Sequence, residues 1–340
     1  MEKISLGIIG CGEHATKTLL PAIAQSANCK LVHASTKSDL RKSIIHKQFP
    51  SAKISDSVAE LLTDPMLDAV LIASPNSTHL EHCEAALERQ IHVLCEKPAL
   101  LTEHEAKQVL ALATKSQAIF REAFMYRFHP QYQLTHTLLP EICGTLEHIS
   151  VEFTYILEDK HNIRALRECA GGALNDVGCY AIDLANWFSG ETGSSFVADC
   201  HAAADCPIDQ RTWFSAHYKN GLTMTALVAM DLPRKNLVTF RGKNGTLTLT
   251  SAFRPANVRG PLITTEDCQG RQKTIHAPGG NQYTLMLERF ANEVAQAKRK
   301  ETVGVDSAWP RWSNPLANAA ALERLQKLLT AVQSDRRRIF

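Results

Sequence analysis

Short apolar runs alternate with helical patterns through the first third of the chain, and that alternation restricts the fold more than any other feature. Leu6-Gly7-Ile8-Ile9 reads as a buried strand and Thr16 to Ala24 as a helix. Further strands follow at Lys30 to Ala34, Ala52 to Ile54, Ala69 to Ala73, Ile91 to Cys95 and Ala118 to Phe120. Helical patterns lie between them at Leu40 to Gln48, Val58 to Leu62, His79 to Glu88 and Thr102 to Ala113, the last opened by a Thr102/Glu105 capping box. Strands separated by single helices pair in parallel, and right-handed crossovers wind them into a doubly wound sheet.

Past Pro130 the texture changes. Leu146 to Ile156 and Arg211 to Tyr218 read as longer strands, and Asn220-Gly221 turns the second into Leu222 to Met230. Lys243-Asn244-Gly245 links Leu237–Arg241 to Thr246–Thr250 in the same way, with helices at Leu174 to Phe188, Tyr283 to Ala297 and Pro315 to Val332. The expectation is a Rossmann-type α/β domain over residues 1–124. An α+β domain with a large, mostly antiparallel open sheet follows over residues 125–340. Its last helix, 315–332, is free to pack back on the first domain.

The chain of 340 residues suits two domains, and its net charge of +2 creates no field drawing it to nucleic acid or an acidic membrane. The run Arg336-Arg337-Arg338 is read as lying beyond a helix end. No apolar stretch reaches membrane-span length, and Met1-Glu2-Lys3 before Ile4 to Ile9 is too short for a signal peptide. Ten cysteines without a Cys-x-x-Cys pair, several inside apolar runs (Cys95, Cys143, Cys179), suit a reducing compartment. A cytoplasmic protein is expected.

Gly10-Cys11-Gly12-Glu13-His14-Ala15 stands between the first strand and first helix and fits G-x-G-x-x-A. The first glycine permits a tight turn, the second lets a pyrophosphate approach, and Ala15 lets helix and strand pack closely. The helix N-terminus then offers its N–H groups to the phosphates. A merely structural glycine turn is the competing reading, and the position at the head of a βαβ series favours a dinucleotide. The second strand ends in Ser35-Thr36-Lys37-Ser38, followed by Asp39 and Arg41, where an NAD site would carry an acid. Hydroxyls and a lysine suit a 2′-phosphate, and Asp39 is read as a helix cap. NADP(H), rather than NAD(H), is the expected cofactor. Ser74-Pro75-Asn76 breaks the fourth strand towards the nicotinamide side, with Ser77 and Thr78 taken as loop and Thr78 as a cap. Glu96-Lys97-Pro98 ends the fifth strand, where open α/β sheets place ligands, and the proline keeps Lys97 out of helical angles.

The glycine turn, Ser74 to His79 and His92 to Pro98 together resemble the Gfo/Idh/MocA oxidoreductase family. Glu122 to Pro130 is similar to the opening of that family's second domain. Asn162-Ile163-Arg164 and Gly171 to Tyr180 resemble the branch containing NADP-dependent xylose and dihydrodiol dehydrogenases and glucose–fructose oxidoreductase. Gly242 to Leu247 and Gln282-Tyr283 with Phe290 extend the resemblance over nearly the whole chain. It implies Lys97 as a catalytic lysine and Tyr180 as its partner, where much of the family carries histidine. Asp176, Arg127 and Tyr126 would touch substrate. Gly10, Gly12, Glu13, His14, Ala15, Ser35, Thr36, Lys37, Ser74, Pro75, Asn76, His79, Glu96 and Lys97 would surround the cofactor.

Elementary chemistry agrees with those roles. Hydride transfer at a carbinol carbon needs a proton relay at its oxygen. A tyrosine titrates near 10 unperturbed, and a nearby ammonium favours its phenolate. Asp176, Tyr180 and Asp183 are spaced i, i+4, i+7, as on one helical face. Asp176 as a dipole partner, Arg127 as a surface ion pair and Asp183 as a structural residue are the competing readings. Ala170-Gly171-Gly172 replaces the family's three glycines, and Arg89-Gln90-Ile91 lacks its helix-capping glycine. His79 with His82, and Cys200-His201 with Cys206, lack the further ligands of a metal site, so no metal is expected. Trp187, Trp213, Trp309 and Trp312 are read as core or interface anchors.

The expected activity is NADP(H)-dependent oxidation or reduction at a CH–OH carbon of a sugar, sugar derivative or diol. A 3-keto nucleotide-sugar reductase is the alternative within that class, and a non-catalytic NAD(P)-binding regulator the alternative outside it. The expected partners are a small polyhydroxylated substrate and further copies of the chain, as a dimer or tetramer, with neither nucleic acid nor membrane.

Overall fold

The computed structural model describes residues 3–203, 206, 208–255, 260–301 and 311–339, so Trp309 lies outside the described residues. β1 (Ile4–Ile9), β2 (Cys29–Ser35), β3 (Lys53–Ser55), β4 (Ala69–Ile72), β5 (His92–Glu96) and β6 (Phe120–Ala123) form a parallel sheet in the order β3-β2-β1-β4-β5-β6. β1, β4 and β5 are buried at every residue, as a sheet covered on both faces requires. The crossovers carry α1 (Leu20–Gln25), α2 (Asp39–Gln48), α3 (Val58–Leu62), α4 (His79–Leu87) and α5 (Glu103–Ser116). The strand order reverses between β1 and β4, and that switch point is where such sheets bind ligands.

α6 (Pro130–Ile142) leads to the second sheet: β7 (Leu146–Ile156), then, after α7 (Cys179–Ser189), β8 (Ser195–His201), β9 (Arg211–His217), β10 (Thr223–Ala229), β11 (Asp231–Gly242), β12 (Gly245–Leu249), β13 (Leu262–Asp267) and β14 (Gln272–His276). Their order is β14-β13-β12-β11-β7-β10-β9-β8, and every pairing is antiparallel except β7 with β10. Two long helices close the chain, α8 (Gln282–Lys298) and α9 (Pro315–Ile339).

The chain divides into two compact units, but not at residue 124. The first comprises Met1–Leu100, His104–Phe128 and Asn281–Trp312; the second comprises Leu101–Glu103, His129–Gly280 and Ser313–Phe340. α8 therefore joins the first unit. Its buried Met286, Leu287, Phe290 and Val294 give it an apolar face, which packs on α1, β1 and β2. Glu293 fastens the segment, accepting from Arg121 Nε at 2.9 Å, Arg289 Nε at 3.1 Å and Trp312 Nε1 at 2.7 Å. α9, expected to be free to pack on the first domain, belongs to the second unit, where Asn318 Nδ2 donates to Asp183 Oδ1 at 2.8 Å on α7. α9 also runs to Ile339, so Arg336-Arg337-Arg338 lies within its last turn and not beyond it.

Other differences from expectation have local causes. β6 begins at Phe120 and continues through Arg121 and Glu122, charges that disguise a buried strand. α6 starts with Pro130 in its first turn and His129 as N-cap, and a second proline, Pro140, inside it disguises the helix. β14 is exposed at most positions and carries no inward alternation to find. The missing capping glycine after α4 leaves Gln90 at φ +61°, with Ile91 N–H bonded to Ala86 O at 3.1 Å. A side chain held there costs on the order of 1 kcal/mol. Gln90→Gly should therefore raise unfolding free energy by about that amount in urea titration, and a destabilised variant would refute the assignment.

Candidate active site

The glycine turn is built by a contact that only glycine allows. Gly10 has φ +85°, and a Cβ there would stand 2.5 Å from Ser74 N in the loop after β4. Gly12 faces open space, with nothing within 4 Å of a Cβ position, which leaves its backbone approachable by a phosphate. The helix behind it opens as a widened π-turn, Ala15–Leu19, before α1. Ala15 is buried, as the fingerprint requires, while Glu13 is exposed and pairs with Lys17. Cys11 is buried, and that burial pushes its thiol up to about 12 against the lowering charge of Arg41, so it is inert at neutral pH.

At the end of β2, Ser35 is buried and Lys37 is exposed. Ser38, not Asp39, caps α2, its Oγ accepting from Arg41 N at 3.4 Å. Asp39 points outward and pairs with Lys42 at 3.2 Å, so its charge is answered on its own helix. Arg41 Nη1 reaches Thr16 Oγ1 at 3.0 Å, which sets a guanidinium beside the glycine turn. Arg41 was visible in the sequence only as a neighbour of Asp39, and its reach across to the first helix is what marks it.

The loop after β4 is tied to the Glu96-Lys97-Pro98 segment. His79 is buried, with Nε2 3.0 Å from Ser74 O and Nδ1 2.9 Å from Pro98 O. Burial lowers its pKa, so a neutral ring donates to one of these carbonyls. Its task is thus an internal staple between the two loops. Thr78 donates back to Ser74 Oγ at 2.9 Å and to Pro75 O at 2.9 Å, and makes no side-chain cap. The Lys97–Pro98 peptide is cis. Beyond it, Ala99 N donates to the buried Glu122 at 3.0 Å, an anchor the sequence reading passed over. Lys97 itself is half-buried at the carboxyl end of β5.

Glu96 and His14, read separately as cofactor contacts, meet at 3.2 Å, and the His14 ring lies edge-on to Tyr283 at 5.6 Å. Burial alone would raise the Glu96 carboxyl. The charge and hydrogen bond of His14, with the Lys97 charge and backbone N–H, bring it below its ordinary value instead.

Two residues offered as substrate contacts have interior tasks. Tyr126 is fully buried, its ring edge-on to Phe124 at 6.0 Å. Arg127 is also buried, and its Nη1 donates to the carbonyls of Arg311 and Trp312 at 3.1 Å each, fastening the end of the returning segment.

In the second unit, a π-turn, Leu174–Gly178, opens the helix that continues as α7. Asp209 anchors its start: Leu174 N donates to Oδ2 at 2.7 Å and Ala173 N to the main-chain oxygen at 2.9 Å. The i, i+7 spacing predicted one face for Asp176 and Asp183, but the widened turn changes the phase. Asp183 turns to Asn318 on α9, whereas Asp176 meets Tyr155 Oη at 2.6 Å and Arg164 Nε at 3.0 Å. Tyr180 is buried between Phe153 and Phe253, with ring centroids 5.4 and 5.0 Å away. Arg164 and Tyr155 had no role in the sequence reading beyond their places in the Asn-Ile-Arg motif and a strand.

Comparisons with known proteins agree with these features. Residues 4–124 match a family described as an oxidoreductase family with an NAD-binding Rossmann fold, and residues 141–248 match the GFO/IDH/MocA C-terminal domain. A D-xylose 1-dehydrogenase (NADP(+)) of Haloferax volcanii is 29% identical over 305 residues, 88% of this chain and 93% of that protein. A dTDP-3,4-didehydro-2,6-dideoxy-alpha-D-glucose 3-reductase of Actinomadura kijaniata is 26% identical over 89% of this chain and 91% of its own length. The crystal structure of a 3-ketoreductase from the same organism, with NADP and TDP-benzene bound, superposes with a TM-score of 0.88. It is 25% identical and covers 96% of this chain and 98% of that one.

The depressed carboxyl of Glu96 has a consequence for stability. A lowered folded-state value stabilises above the unfolded value, and that contribution is lost as pH falls through the folded one. Glu96→Gln should lower the urea midpoint at neutral pH and flatten its fall in acid. Parallel acid slopes for the two proteins would refute the linkage.

Proposed function

Because the chain belongs to the GFO/IDH/MocA oxidoreductase family, we propose that it is an NADP(H)-dependent enzyme that oxidises or reduces a CH–OH carbon of a sugar, sugar derivative or diol. One observation carries the reading. Lys97 stands at the carboxyl end of β5, on a segment held by His79 on one side and Glu122 on the other, beside the loop that Gly10 touches. A cation fixed this firmly at a switch-point edge is organised for chemistry on a ligand.

The residues fit a dinucleotide. The open approach at Gly12 suits the pyrophosphate, and Ser35, Thr36, Lys37 and Arg41 offer hydroxyls and cations to a 2′-phosphate. When bound, the nicotinamide supplies or accepts the hydride. Lys97 donates to the substrate oxygen and stabilises the charge that develops there. Tyr180 takes the hydroxyl proton in oxidation and returns it in reduction. Asp176, tied to Tyr155 and Arg164, steadies the helix on which Tyr180 stands and is the proposed contact for a substrate hydroxyl beside it.

The relatives named as a D-xylose dehydrogenase and a nucleotide-sugar 3-reductase support sugars as the substrate class. The full-length likeness to the 3-ketoreductase favours a 3-keto nucleotide sugar as the second reading. A cytoplasmic setting is supported by ten free thiols. A homo-oligomer is supported by exposed Val197 and Trp213 on one face of the second sheet.

Lys97→Ala should lower kcat about 10²- to 10⁴-fold on a panel including D-xylose and dTDP-linked sugars. NADPH affinity by fluorescence should stay within a few-fold. Activity near wild type would sink the role of Lys97, and NADPH binding by the wild type without turnover on any sugar would favour a regulator. In addition, kcat/KM should be higher with NADPH than NADH, and Arg41→Ala should narrow that ratio about tenfold. A wild-type preference for NADH would reverse the cofactor assignment.

A further inference from the structure

The proposed reaction gives Arg164 no task, yet its surroundings in the second unit are unusually well built for a loop arginine. Nε donates to Asp176 Oδ1 at 3.0 Å and Nη1 to Asn162 Oδ1 at 3.3 Å. The main chain is fixed as well. Gly172 N donates to Arg164 O at 2.9 Å, and a Cβ on Gly171 would lie 2.3 Å from that oxygen. The loop bearing Arg164 therefore lies directly against the start of the helix bearing Asp176 and Tyr180. Tyr155 Oη completes the cluster at 2.6 Å from Asp176 Oδ2, so each oxygen of this buried carboxylate is engaged.

We infer that Arg164 is a positioning residue for the proposed reaction: paired with Asp176, it offsets a negative charge one helical turn before Tyr180 and so favours the ionised Tyr180 hydroxyl. The inference rests on the proposed role of Tyr180. A buried carboxylate stripped of its cation opposes a second negative charge nearby, and a guanidinium cancels that opposition without giving up its proton.

The groups around Tyr180 decide the sign. On its own helix stand Asp176 and Asp183, and Asp183 is turned to Asn318. From β7 comes Tyr155, whose hydroxyl burial and the Asp176 charge hold well above the ordinary tyrosine range, so it remains a donor. Arg254 acts on Tyr155 from the segment after β12. Arg164 is held charged by Asp176 first, and its charge also interacts with Tyr155 and Tyr180. Phe153 and Phe253 supply apolar walls that keep these interactions strong. With Tyr155 committed to Asp176, Tyr180 is the tyrosine of this cluster that the cation assists.

The test is an ultraviolet phenolate titration of the NADP⁺-bound protein, with Tyr180→Phe subtracted to isolate the Tyr180 step. Arg164→Met should raise its midpoint by about one pH unit or more, which is roughly tenfold less phenolate at a given pH below the midpoint. Arg164→Lys should hold the midpoint near wild type, Asp176→Asn should lower it, and the double variant Arg164→Met/Asp176→Asn should return towards wild type. That double variant leaves no unpaired buried charge, so it keeps the test usable if Arg164→Met folds poorly. The inference is overturned if Arg164→Met leaves the midpoint in place, or if Asp176→Asn raises it. The rising limb of kcat/KM for D-xylose oxidation should move with the titration. A Tyr180→Phe enzyme with full activity would instead remove Tyr180 from the reaction while leaving the titration comparison intact, which separates the two failures.

Discussion

The carboxyl edge of the parallel sheet exists in this form because two loops meet with no side chain between them. Gly10 lies so close to Ser74 that a single added carbon would overlap its backbone nitrogen. One of the two anchors of the Lys97 segment is connected to that contact, the other being Glu122. Ser74 O and Pro98 O flank the two nitrogens of His79, and Pro98 is joined to Lys97. The position of the cofactor turn is thus transmitted to the lysine through one backbone contact and one buried ring. Because His79 is neutral in its pocket, the linkage carries no charge of its own and leaves the local field to Lys97, Glu96 and His14.

The second unit solves a different problem. It buries a carboxylate, Asp176, where an unpaired charge costs on the order of several kcal/mol. Arg164 and Tyr155 remove that cost with two well-formed hydrogen bonds. Asp209 does similar service at the helix start, where free N–H groups welcome a carboxylate, although burial pushes its carboxyl up to about 6. Both units therefore fix the side chains proposed for the reaction by burying polar groups with their partners and not by packing alone. Such networks specify a geometry more sharply than an apolar contact does.

The sequence was informative wherever function follows from strand ends. The alternation of β1 to β5 with helices, the glycine turn and Lys97 all sit where backbone periodicity puts them, and the structure has them there. It was uninformative wherever a role depends on a distant partner. Arg127 reads as a substrate contact or a surface ion pair until Arg311 and Trp312 are seen to accept from it. Glu122 and Arg164 each read only as one letter of a motif, because their partners lie 23 and 12 residues away. A division at residue 124 leaves α8 out of the first unit for the same reason. An amphipathic helix announces that it has an apolar face, but not which of two sheets will cover it. Asp183 was misaligned with Asp176 by a π-turn, which leaves no trace in a pattern read at 3.6 residues per turn.

The return of α8 to the first unit also sets an order of events during synthesis. Residues up to Phe128 leave the ribosome with the whole parallel sheet encoded, yet the face of β1 and β2 that α8 covers has nothing to cover it. The second sheet is translated next, while that face waits. Only when Glu293 and Trp312 have emerged can Arg121 find its partners and the nucleotide-binding unit close. The domain that begins first is thus completed only after the second sheet has been made, and the growing chain must keep an apolar surface soluble meanwhile.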